Sequence, residues 1–220
     1  MTQNPPPFHS AAINHPSPTT DRFEPRSPDD VRALIDTFPL AWVVSADASG
    51  DAVSSQLPLL PLPENGGEVT GLLGHLSRAN PLVACFRENP RATILFQGPD
   101  AYASPSWYAD RDSAPTWLYV NATLSVDIAL REDLTDHALA RLVERMERDR
   151  PQRWNVAEID HRYHSLQRRV VAFTATIRET RARFKLAQDE SPTVVRNTLD
   201  ALGPHAIAAW LHAFNTDRLE

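Results

Sequence analysis

The sequence predicts a mainly β fold with helices, an antiparallel β-barrel carrying peripheral helical segments. Three observations carry this reading. Apolar, partly β-branched strand material fills the middle of the chain. Short turns join successive strands, so hairpins outnumber crossovers. Helical patterns fall between and after the strands instead of alternating with each of them, as a βαβ sheet would require. No internal repeat is present.

The elements follow in order. Residues 1–26 form an arm rich in proline, with Pro5, Pro6, Pro7, Pro16, Pro18 and Pro25. Such a segment makes neither a helix nor an interior strand. It is expected to be disordered or laid across another surface, such as a partner subunit. Ser27-Pro28-Asp29-Asp30 then opens a helix, with serine capping, proline in the first turn and acids at the positive helix end. Val31, Leu34, Ile35 and Phe38 form its apolar face. Leu40 to Ala46 and Ala52 to Leu60 make a hairpin across Ala48-Ser49-Gly50-Asp51. Glu68 to Leu76 is a third strand. Asn80-Pro81 starts a short helix through Arg87, and Arg91 to Gln97 is a fourth strand.

The stretch from Gly98 to Thr116 reads as a long loop without a pattern of its own, which marks it as functional. Trp117 to Leu130 is a fifth strand. Leu134 to Arg150 is an amphipathic helix, with Leu139, Leu142, Val143 and Met146 on one face. Arg168 to Ala187 is one long strand or a bent pair. Ser191 to Leu202 and Pro204 to Phe214 are two short helices. The division expected from this is an arm (1–26), a barrel domain (27–190) and a C-terminal helical extension (191–220).

Composition narrows the function. The 220 residues are 42% hydrophobic and 23% charged, with a net charge of −6. A nucleic-acid-binding domain usually carries a basic face, and no block of lysine or arginine supplies one. DNA as a partner is therefore not supported by charge. Cys85 is the only cysteine, in the apolar run PLVACF, which excludes an intrachain disulfide and reads as a buried thiol. MTQNPPPFHS has neither the charged start nor the apolar run of a signal peptide, and no segment has the length of a membrane span. A cytoplasmic protein with no membrane contact is expected. Lys185 is the only lysine among 22 Lys and Arg residues. Its bland explanation is an arginine-rich composition; its functional one is a place that needs a compact ammonium.

The segment from Gly74 to Trp117 carries the chemistry. GHLSRANP ends a strand in a polar turn with His75, Ser77, Arg78 and Asn80. Gln97, Tyr102, Ser104, Ser106, Trp107, Tyr108 and Trp117 follow. Arg78 offers a planar fork matched to phosphate oxygens, Ser77 a hydroxyl, and the helix after Asn80 a set of free N–H groups. Lys185 adds a charge if the last strand closes beside that turn. The aromatic rings can stack on a flat ligand, with Gln97 and Ser106 at its polar edge. A ligand anionic at one end and flat at the other fits this set, and a phosphorylated flavin is such a ligand. The alternative is a surface arginine capping its own turn and aromatics serving a subunit interface. His161 and His164 lie three apart after Asp160; with no third ligand they read as a solvated face. No G-x-S-x-G, Walker or G-x-G-x-x-G motif is present.

The chain resembles the PaiB family of FMN-binding negative transcriptional regulators, within the split-barrel flavoproteins. QLPLL (56–60), GHLSRANP (74–81), FQGPDAYASPSWY (96–108), PTWLYV (115–120) and FKLAQD (184–189) carry the likeness, which covers roughly residues 23–190. The resemblance implies a six-stranded split barrel of Greek-key character. It also implies a homodimer with FMN in a groove between subunits and Ser77-Arg78 at the phosphate. Some split barrels hold haem instead. Four positions depart from the family pattern in the strands: Gln56 and Thr123 stand where relatives often have histidine, Leu118 for asparagine and Val126 for glycine. Asp189 stands for asparagine in KLAQD. The expected function is a flavoprotein, either a small oxidoreductase or a flavin-dependent regulator. The alternative is a regulator acting through DNA or a protein partner, with a degenerate or haem-binding groove.

Overall fold

The computed structural model describes residues 21–109 and 111–220. Most of the proline-rich arm predicted for 1–26 lies outside the described residues. Six antiparallel strands close into a barrel in the order β1-β2-β3-β6-β5-β4. They are β1 (Leu40–Ala46), β2 (Ala52–Leu62), β3 (Gly71–Ser77), β4 (Arg91–Ala103), β5 (Thr116–Arg131) and β6 (Val170–Lys185). Alternation sets the two faces. Along β5, Leu118, Val120, Ala122, Leu124 and Val126 point inward and are at most 2% exposed, while the odd-numbered residues face out. The departures Leu118 and Val126 are therefore interior side chains, and only Gln56 and Thr123 of the four strand positions face outward.

Helices plug and flank the barrel. Helix α1 (Pro28–Thr37) sends Leu34 and Ile35 into the core, both fully buried. Helix α2 (Leu82–Glu88) does the same with Leu82 and Phe86. Helix α3 (Thr135–Glu147) covers the outer side of β2, β3 and β6, where Ala138 joins Leu60, Leu73 and Ala172 in a second apolar cluster. Helices α5 (Pro192–Leu202) and α6 (Ala206–Leu219) contribute Val195, Ile207 and Leu211 to the main core, and Phe214 stacks on Phe184 at 5.3 Å.

Two expectations change. Strand β4 does not stop at Gln97. It continues through Ala103, pairing Tyr102 with Trp117, after a register shift between Gln97 and Asp100. Gly98-Pro99 reads as a breaker in sequence, but a bulge absorbs it, since residues inside a bulge need not donate to the ladder. Gly98 suits the close approach there: a Cβ would stand 2.8 Å from Leu34 Cδ1 of α1 and 3.2 Å from Val120 Cβ, so the buried Leu34 side chain would have to shift. The second change is helix α4 (Asp160–Gln167), preceded by a 3₁₀ turn at Val156–Ile159. Its sequence, DHRYHSLQ, has almost no apolar periodicity to announce it. His161 and His164 are exposed on it, and among the described residues no group of three His, Cys, Asp or Glu is placed to hold a metal.

Candidate functional site

Among the described residues no helix buries the outward side chains of β1, β4 and β5, which are exposed or partly buried. The outward residues of β1, β4 and β5 form a continuous open face, and strand register lines them up in rows. Gln56 pairs with Trp42, Trp42 with Leu95, Leu95 with Thr123 and Thr123 with Arg181. In the next row Gln97 pairs with Asn121 and Asn121 with Arg183. Beyond the bulge, Asp100 pairs with Tyr119, Tyr119 with Lys185, and Tyr102 with Trp117. Among the described residues, five of the eight exposed large apolar side chains belong to this face: Leu40, Trp42, Leu95, Tyr102 and Trp117. Such a concentration on one side of a folded chain is the mark of a surface made to be covered. Polar side chains capable of hydrogen bonding (Gln56, Gln97, Asn121 and Thr123) are interleaved with it.

The sequence-selected residues fall into two groups within one chain. The first is the turn after β3. His75 and Ser77 point outward from that strand, opposite Ala172 and Val170 of β6. His75 is half-buried, and that burial lowers its pKa. The Ser77 hydroxyl oxygen accepts from Ala79 N at 3.2 Å, leaving its own proton available. The Asn80 side chain donates to Ser55 Oγ at 2.9 Å, which ties this turn to β2 beside Gln56. The second group lies across the open face: Gln97, Trp117 and Lys185.

All three guanidinium nitrogens of Arg78 are engaged in its own chain. Its Nη1 and Nη2 donate to both carboxylate oxygens of Glu132 at 2.6 and 2.5 Å, and its Nε donates to the Arg168 carbonyl at 2.9 Å. The hydrogen bond raises the arginine pKa and lowers that of Glu132. The pair is open to solvent, with 40% and 62% of the two side chains exposed.

Three expectations need correction. The N-terminus of α2 offers no free N–H groups. Asn80 Oδ1 accepts from Leu82 N, the Asn80 carbonyl from Val83 N, and the Pro81 carbonyl from both Ala84 N and Cys85 N. A helix of two turns uses its first donors on its own cap. Lys185 does not stand beside Arg78. Ser77 is paired at the first residue of β6 and Lys185 ends that strand, 15 residues on, with Nζ donating to Thr116 Oγ1 at 2.5 Å. Trp107 packs against the barrel core instead of the open face. Its neighbour Ser106 pairs with Ser104 Oγ at 2.8 Å, and Tyr108 OH lies 3.1 Å from Thr198 Oγ1. Sequence reasoning missed Trp42, Leu40 and Leu95. Their signal was available: each is a large apolar residue at an outward position of a strand whose alternate residues also had to be apolar.

A separate apolar cleft of about 360 Å³ lies between α3 and α4, lined by Leu139, Val143, Trp154, Ile159 and Leu166 among others. It shares no residue with the open face. Among the described residues no helix is long and apolar enough to cross a membrane.

Comparison with known proteins agrees with this architecture. A Bacillus subtilis protein, "Protease synthase and sporulation protein PAI 2", is 30% identical over 139 residues, covering 60% of this chain and 64% of its own length. A Mycobacterium smegmatis structure described as the FAD and Heme binding protein superposes with a TM-score of 0.53 at 18% identity, covering 74% of this chain and 73% of that one. The flavocytochrome Anf3 of Azotobacter vinelandii gives 0.51 at 14% identity, over 74% and 69%. At those identities the two structures share the fold. Residues 19–179 match the family described as "Putative FMN-binding domain". The chain belongs to that FMN-binding domain family, with a PaiB-like relative and the split-barrel fold of flavoproteins.

Proposed function

We propose that this protein is a homodimeric FMN-binding flavoprotein of the PaiB type, its flavin seated between two copies of the open face. The single observation that carries this is the uncovered row Gln56, Trp42, Leu95, Thr123, flanked by Leu40, Tyr102 and Trp117. It is too apolar to face water, and its polar members suit the edge of a flat heteroaromatic ring. A two-fold contact repeats the same patch on both subunits. It can bring the Ser77-Arg78 turn of one protomer toward the Trp117 and Lys185 end of the other, two groups that a single chain keeps apart.

The residues fit the cofactor. Ser77 and Arg78 would hold its phosphate, and Gln56, Gln97, Asn121 and Thr123 would bond its ring edge. When bound, the flavin supplies hydride or electron transfer. The chain supplies seat, orientation and exclusion of water. Haem is the weaker ligand: among the described residues the open face holds no histidine, and Gln56 and Thr123 occupy the two outward positions where relatives often carry one. A DNA-reading role finds no support in α5 and α6, because Arg196 spends its guanidinium on the Leu219 carbonyl at 3.1 Å.

The test is direct. Freshly purified protein is expected to be yellow, or to quench FMN fluorescence on mixing at micromolar concentration. Its dimer fraction should rise with flavin occupancy. No uptake of FMN by well-folded protein would overturn the reading.

A further inference from the structure

We propose that Glu132 is a built-in competitor for the anion seat, holding the guanidinium fork of Arg78 that a flavin phosphate would take and leaving it when phosphate binds. This deepens the flavin reading and rests on Arg78 being the phosphate-gripping arginine.

The geometry points to exchange and not to simultaneous binding. Arginine presents five N–H groups in a rigid fork. Here Nη1 and Nη2 each bond one carboxylate oxygen, and Nε is committed to the Arg168 carbonyl. A carboxylate and a phosphate offer the same paired-oxygen geometry to that fork. A phosphate arriving at Arg78 therefore meets a site already filled by an anion of matching shape. It must displace Glu132 or settle for a single, poorly aimed bond.

Glu132 is placed to leave. It sits in the 3₁₀ turn Glu132–Leu134 that ends β5, and 62% of its side chain is exposed. Its one side-chain hydrogen bond partner among the described residues is Arg78. Arg78 is placed to stay. Its backbone N donates to the Arg169 carbonyl at 2.9 Å and its Nε keeps the Arg168 carbonyl, so the guanidinium remains aimed after the carboxylate swings away. The neighbouring Arg131 is held by Asp133, and Arg87 is close enough to act on the Glu132 carboxylate and gives it a second cation to face when it leaves Arg78.

Two effects then weaken phosphate binding in the native protein. The Arg78–Glu132 pair must break, and the displaced carboxylate remains tethered near the incoming anion. Glu132→Gln removes the charge at nearly constant size. It should tighten FMN binding by about fivefold, the scale of one exposed ion pair, and leave riboflavin, which lacks the phosphate, unchanged.

The experiment titrates FMN and riboflavin into the full-length protein, Glu132→Gln and Arg78→Ala, reading flavin fluorescence. Tighter FMN with unchanged riboflavin in Glu132→Gln, together with weaker FMN in Arg78→Ala, is the expected pattern. If Arg78→Ala loses FMN affinity but Glu132→Gln binds as the native protein does, or more weakly, the competitor role is refuted and the arginine seat stands. If Arg78→Ala binds FMN normally, the seat lies elsewhere and this inference falls with it. If no variant takes up FMN, the flavin reading itself has failed.

Discussion

Replacing Trp42 by alanine tests the open face most sharply. Trp42 is at an outward position of β1, between Gln56 and Leu95, with 47% of its surface exposed. A tryptophan has up to about 250 Å² to bury, so roughly 120 Å² per copy waits to be covered. At about 25 cal/mol per Å² this amounts to about 3 kcal/mol per copy, and a two-fold contact counts it twice. Association returns only part of such an area, because ordering and imperfect polar pairing oppose it. A realistic loss for the double truncation is about 3–4 kcal/mol, a dimer weakened by two to three orders of magnitude. The barrel interior should keep its packing, since Trp42 points outward, with a smaller loss of monomer stability from the part of the side chain already covered. Sedimentation across a dilution series measures the association, and far-ultraviolet circular dichroism checks the fold. A Trp42→Ala protein that stays dimeric at the same dilution as the native one would refute the assignment of this face. So would a native protein that is monomeric with FMN bound.

Three further outcomes follow from the interior and its edges. Gly74→Ala puts a methyl group 2.5 Å from Leu59 Cδ2 and 2.6 Å from Phe173 Cζ, both on fully buried residues, so overpacking should cost about 1–3 kcal/mol in urea unfolding; an unchanged midpoint would show that the barrel interior yields. Asn215 is 1% exposed and its Nδ2 donates to the Leu186 and Leu211 carbonyls, both at 2.8 Å; Asn215→Ala strands the Leu186 carbonyl and should cost about 1–3 kcal/mol by the same measurement. His75 has its pKa lowered by burial, so the unfolded chain takes up a proton near the ordinary value of about 6.5 while the folded chain resists it. The stability this gives is present above that value and falls as pH drops through it toward the folded pKa, by at most about 1.4 kcal/mol per pH unit; His75→Gln should flatten the slope of stability between neutral and mildly acidic pH, and an identical slope in both proteins would sink the argument.

Much of this molecule was legible in its residues. Apolar, partly β-branched runs bounded by turn residues placed β1, β2 and β5 to within two residues, because such residues suit a pleated, half-buried surface. The Ser27-Pro28-Asp29-Asp30 cap fixed the start of α1, and Cys85 was read as buried and is 3% exposed. Legibility failed where local signals conflict with pairing. Gly98-Pro99 breaks a strand in isolation, yet a bulge carries β4 past it. The α4 helix is tied to α3 by Tyr163 OH, which donates to Asp136 Oδ1 at 2.7 Å, and its own pattern says little. The candidate site was half legible. The turn with Ser77 and Arg78 could be picked from residue type, but Glu132, 54 positions away, could not be paired with Arg78 by any local rule.

Fold class, the acidic and cysteine-poor character of the chain, and the residue types suited to an anionic, flat ligand can all be read from the residues. Those are properties of composition and short-range period, which each segment carries alone. Folding alone reveals which outward residues stay uncovered, that Lys185 and the Arg78 turn lie at opposite ends of β6, and that a carboxylate already holds the arginine. These depend on barrel closure and strand register, and long-range pairing is set by the summed burial of all six strands.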